Sequence, residues 1–127
     1  LYAMKLGVPA EHIFYDTLAK HSTENVYYSY KLAKHLHFKS LALATDPFQS
    51  VMLNSFTKRR FASFIQHIPV KFDLIKSMNV ASIDIDSKLA FNPSFQSITS
   101  DETLINRLRG TLGRQIDYGP TKQLPPL

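Results

Sequence analysis

Apolar positions along the chain change their period several times, and each change predicts an element. Leu1 to Leu6 reads as the tail of a helix closed by Gly7, where a left-handed residue is usual, with Pro9 just beyond. His12-Ile13-Phe14-Tyr15 is a short apolar run that predicts a strand. Val26, Tyr30, Ala33 and Leu36 or His37 then recur at helical spacing. A helix is expected from Ser22, as its cap, to about His37, with Glu24 in the first turn where the dipole favours negative charge. Leu41-Ala42-Leu43-Ala44 is continuous rather than alternating, which predicts a strand covered on both faces in a parallel sheet. Asp46 suits an N-cap and Pro47 a first helical residue. The helix they open should turn Phe48, Val51, Met52, Ser55 and Phe56 inward and leave Lys58-Arg59-Arg60 at its C-terminal end. Phe64 to Ile68 predicts a further strand, stopped by Pro69.

Beyond Pro69 the pattern weakens. Val70 to Met78 suits a short helix, and Ile83-Asp84-Ile85-Asp86 alternates like an exposed edge. Thr99-Ser100-Asp101-Glu102 matches a capping box, and Leu104, Leu108 and Leu112 follow at helical spacing, so a terminal helix is expected up to Gly110 or Gly113. The proline-rich tail from Gly119 to Leu127 should be extended or loose. Alternation of helices and strands is the signature of βαβ units, and the expected fold class is α/β, a Rossmann-like three-layer parallel sheet. The 127 residues, 44% of them hydrophobic, suffice for one core and not two. They are expected to be one α/β domain or the C-terminal part of one, with a core over 1–78, a peripheral segment and terminal helix over 79–118, and a loose tail over 119–127.

Composition narrows the chemistry. Without cysteine there are no disulfides, thiolate nucleophiles or Cys-based metal sites. No stretch approaches the roughly 18 apolar residues of a membrane span. The net charge of +5 is spread over scattered Lys and Arg, with one tight cluster at Lys58-Arg59-Arg60 and a looser set at Arg107, Arg109 and Arg114. With no aromatic-interleaved basic motif, solvated helix faces are the better reading, and nucleic-acid binding through the basic helix end is kept as an alternative. His35 and His37 point to different helix faces, and Asp84 with Asp86 lacks the ligand count of a cation loop. Tyr27, Tyr28 and Tyr30 read as packing residues with wet tips.

Open parallel sheets hold ligands at the carboxyl ends of their strands, beside helix N-termini. Two loops fit that address, Tyr15 to Asn25 and Ala44 to Gln49. If their strands are neighbours, Glu24, Asn25, Thr45, Asp46 and Gln49 converge on one crevice, with Ser22 at the helix start. No nucleophile lies beside a base and no phosphate loop is present, so the residues name no reaction and the catalytic residues are unknown.

The segments "LGVPAEHIFYD", "HSTENVYYSYKLAK" and "KSLALATDPFQSVML" resemble, in order and spacing, the C-terminal half of the bacterial SanA/YdcF/ElyC-like family over Leu1 to Ile75. In that family a Gly-Val-Pro turn, an Asn-Thr-x-Glu-Asn loop and a Val-Thr-Ser-x-x-His segment recur. Ser22 stands at the family's Thr, Glu24 and Asn25 at its Glu-Asn pair, and Thr45 at the Thr of the second segment. Gln49 replaces the His, Met52 a frequent Arg, and Asp46-Pro47 the Ser and its neighbour. Gln shuttles no proton near neutral pH and Met clamps no phosphate, so the resemblance implies binding more than catalysis. It implies a small-molecule-binding or transferase-like domain tied to cell-envelope maintenance, or alternatively a non-catalytic envelope or assembly module. Its ligand would be anionic or nucleotide-like, S-adenosylmethionine among the candidates. The implied location is inner-membrane-associated or periplasmic, with cytoplasmic relatives also known. Any membrane contact is expected from a segment outside these residues. The family's N-terminal βα unit and glycine-rich loop have no counterpart here, which predicts an exposed apolar flank pairing with another copy or with that half.

Overall fold

A computed structural model describes residues 1–78, 83–120 and 122–127. Its elements run in the order α1 (Tyr2–Lys5), a 3₁₀ turn (Ala10–His12), α2 (Ser22–His35), β1 (Leu41–Thr45), α3 (Pro47–Arg60), β2 (Ile65–Pro69), α4 (Phe72–Ser77), a second 3₁₀ turn (Ser87–Ala90), α5 (Ile98–Asp101) and α6 (Leu104–Thr111). The class is α/β. Among the described residues, no helix is long and apolar enough to cross a membrane.

β1 and β2 pair in parallel, Leu41 opposite Ile65 and Thr45 opposite Pro69, with α3 as the crossover between them. The Val70 amide donates to the Thr45 carbonyl. In a parallel ladder alternate residues serve one neighbour, so Leu41, Leu43 and Thr45 spend their backbone groups on β2 while Ala42 and Ala44 direct theirs to the opposite edge. That edge is open. On β2 the outward-facing set includes Pro69, which has no amide to offer and blunts the far edge.

One face of this small sheet is covered. Leu41, Leu43 and Ile65 pack with Val26, Tyr27 and Tyr30 of α2 and with Leu53 and Phe56 of α3, and Phe61 completes the core. Ala42 and Ala44 are exposed, so burial along β1 alternates. The strand expected to be covered on both faces is covered on one, because the described helices that touch it, α2 and α3, share a side. Small alanines make the run look continuous although only its leucines are core. The described residues therefore form a helix layer on a sheet rather than three layers.

Three further expectations are corrected. His12 to Tyr15 is no strand: Ala10–His12 forms a 3₁₀ turn, and among the described residues no segment pairs with the run that follows, since a strand needs a bonded neighbour. α3 turns Ser50, Leu53, Phe56 and Thr57 inward while Phe48 and Val51 are 78% and 76% exposed. The inward hydroxyls are satisfied by one imidazole. Thr57 Oγ1 donates to the Asn54 carbonyl and so receives Nε2–H of His67 at 3.0 Å, leaving His67 Nδ1 to accept from Ser50 Oγ at 3.2 Å. Ile83 to Asp86 forms no strand, and Asp86 instead caps the second 3₁₀ turn through the Lys88 amide.

The tail, expected to be extended or loose, opens on a turn at Gly119 and Pro120 and is tied down. Phe61 and Leu124 form an isolated parallel bridge, Ala62 N–H donating to Leu124 C=O and Leu124 N–H to Arg60 C=O. Tyr27 and Tyr30 hydroxyls donate to the carbonyls of Asp117 and Pro125, both at 3.0 Å, so these tips are capped by backbone rather than by water. Lys34 Nζ reaches the Pro126 carbonyl at 2.7 Å.

Candidate functional site

Local chemistry builds both loops. Asp46 caps α3 by accepting from the Gln49 amide at 3.0 Å, and Pro47 occupies the first helical position as expected. At α2 the cap is His21, one residue before the expected Ser22. Glu24 reaches back to accept from the amides of Lys20 and His21 at 2.7 and 3.1 Å, the reciprocal half of a capping box. Ser22 is thereby released from capping, and its hydroxyl donates to Gln49 Oε1 at 3.1 Å, joining the two helix starts.

Between them lies a cavity of about 340 Å³ at the carboxyl end of β1. Ser22, Asn25, Thr45 and Gln49 line it, four of the six residues singled out from the sequence. Glu24 and Asp46 do not: both are spent on backbone amides of the helix starts, and Glu24 is 9% exposed. Lys20 and His21 join the lining, and Val26, Leu43 and Leu53 supply its apolar wall.

Solvent exposure is the commoner outcome for a loop histidine such as His21, and the structure buries it instead. Its side chain is buried between two carboxylates, Nε2 at 3.0 Å from Glu102 Oε2 and Nδ1 at 3.3 Å from Glu24 Oε1. The first contact is an aligned hydrogen bond; the second is an ion-pair distance without hydrogen-bond alignment. Gly110 of α6 sits against the ring, where an added Cβ would lie 2.2 Å from two of its atoms. Thr23 Oγ1 donates to the Gly110 carbonyl at 2.7 Å and fastens α6 to α2. Glu102 is consequently no capping residue: the predicted terminal helix is two pieces, and Thr103 caps the second through the Asn106 amide. A glycine inside the amphipathic run Leu104 to Leu112 was the available signal for this close approach.

The basic cluster ending α3 is partly withdrawn. Arg60 lays its guanidinium 4.2 Å from the Tyr118 ring centroid and directs Nη1 to the Lys122 carbonyl. Burial pushes the Tyr118 phenol above its usual range, partly opposed by Arg60 and Arg59. Among the described residues no group of three His, Asp or Glu side chains is arranged to hold a metal.

No family model matches the chain, and neither a curated protein nor a solved structure is significantly similar to it.

Proposed function

We propose that the crevice at the carboxyl end of β1 binds a small polar ligand, in the manner implied by the resemblance to SanA/YdcF-like domains with their Rossmann-like sheet. One observation carries this: Ser22, Asn25, Thr45 and Gln49, from two separate loops, border a single cavity whose volume of about 340 Å³ suits a small molecule. The Ser22–Gln49 hydrogen bond preorganises the two loops, so their geometry exists before a ligand arrives. Lys20 beside the neutral donors favours an anionic or nucleotide-like ligand, S-adenosylmethionine among the candidates, in a domain serving cell-envelope maintenance. Binding is favoured over catalysis. Gln49 cannot titrate, and the nearby imidazole of His21 is engaged by carboxylates. The nucleic-acid alternative is the weaker one, because Arg60 is committed to Tyr118 and the Lys122 carbonyl.

A thermal-shift panel of nucleotides, S-adenosylmethionine and envelope precursors tests the proposal. At least one anionic member should raise Tm, and Asn25→Ala with Gln49→Ala should abolish that shift while circular dichroism stays unchanged. A ligand shift that survives both substitutions, or a panel with no shift at all, refutes it.

A further inference from the structure

The last helix is folded inside out. α6 meets α2 through Gly110, with Arg107 and Thr111 half-buried beside it, while Leu104, Ile105, Leu108 and the following Leu112 are 78%, 71%, 60% and 45% exposed. At 3.6 residues per turn these four share one arc of about 100° on the side away from Gly110. Arg107 and Arg109 border the arc on its two sides and Arg114 follows, whereas no acidic residue occurs from Leu104 to Arg114. A soluble helix of this composition would normally bury its leucines and expose its small and polar residues. Here the small residue is needed inside, because only a glycine admits the His21 ring.

An exposed apolar arc with cations along both borders matches the surface of a helix lying in a bilayer interface, leucines in the acyl boundary and arginines at headgroup level. We propose that α6 docks this protein on an anionic membrane surface through Leu104, Ile105, Leu108 and Leu112, with Arg107, Arg109 and Arg114 as the phospholipid-facing charges. The contact lies within this chain, whereas the sequence placed any membrane contact in a segment outside it. A free helix of eight residues would have to be ordered by the membrane. This one is already held by the Thr23–Gly110 hydrogen bond, so docking needs no coil-to-helix transition.

Co-sedimentation of the full chain with phosphatidylcholine vesicles, with and without phosphatidylglycerol, tests the proposal. Binding should require phosphatidylglycerol and weaken with salt. Arg109→Gln should lower the partition coefficient about fivefold, the share of one cation near an anionic surface. Leu108→Ser should lower it by about tenfold or more. Leu108 is exposed, so its substitution should leave Tm unchanged. Three results overturn the proposal: no pelleting with phosphatidylglycerol vesicles, pelleting that Leu108→Ser leaves intact, or a concentration-dependent dimer in sedimentation velocity that Leu108→Ser abolishes. The last would assign the face to a second copy of the chain.

Discussion

Replacing Gly110 with alanine should destabilise the protein, although alanine is the better helix former. The backbone is no obstacle, since the positive-φ glycines are Gly7, Gly113 and Gly119. Space is the obstacle. The new Cβ would lie 2.2 Å from Cε1 and Nε2 of His21 and 2.4 Å from Nδ1, a ring held in place by Glu102 and bounded by Glu24. Overpacking of this kind costs about 2–3 kcal/mol, and the helix-propensity gain of about 1 kcal/mol recovers part of it. The net loss is about 1–2 kcal/mol, which at this chain length lowers Tm by roughly 4–8 °C. The informative comparison is the same substitution in a His21→Ala background, where the ring is gone. There Gly110→Ala should become neutral or stabilising by up to about 1 kcal/mol, a coupling of about 1–3 kcal/mol read by a double-mutant cycle in urea. Equal destabilisation in both backgrounds would refute the packing of α6 on the His21 ring.

Other consequences can be measured independently. Thr57→Val leaves Nε2–H of His67 without its acceptor and should cost about 1–3 kcal/mol, more than Ser55→Ala on the exposed side of the same helix. Tyr30→Phe removes the hydroxyl that donates to Pro125 and should cost about 1 kcal/mol. Faster hydrogen exchange at the Ala62 and Leu124 amides, which close the Phe61–Leu124 bridge, would accompany it. Because burial raises the Tyr118 pKa above 10.0, folding favours the neutral phenol. The associated stability is complete below pH 10 and is lost as pH rises through the folded value, and Tyr118→Phe should flatten that alkaline loss in a pH series of urea melts. A wild type and Tyr118→Phe variant with parallel alkaline profiles would contradict the assignment.

How far the sequence could be read depended on how locally each feature is determined. The cap at Asp46, the proline at Pro47 and the helical spacing of Val26, Tyr30 and Ala33 are decided within a few residues, and both long helices were legible from them. The cavity lining was legible for the same reason: Ser22, Asn25, Thr45 and Gln49 each sit where a strand ends or a helix begins. The inner face of α3 was hidden because Ser50 and Thr57 look like surface residues until His67 comes between them. His12 to Tyr15 has the composition of a strand, but a ladder belongs to two segments and no strand pairs with it among the described residues. Least legible was the His21, Glu102 and Gly110 constellation. It joins residues more than 80 positions apart, and Glu102 answered equally well to a local capping pattern.

The strap over the core is gripped by its main chain. Tyr30 and Lys34 bond to carbonyl oxygens of the tail, Tyr27 to the Asp117 carbonyl just before it, and Ser63 accepts from the Leu127 amide. Such contacts specify a path and ignore side-chain identity. Exposed positions such as Lys122 and Gln123 should therefore accept almost any residue, while a single insertion, which shifts each carbonyl away from its donor, should be far more damaging than several replacements.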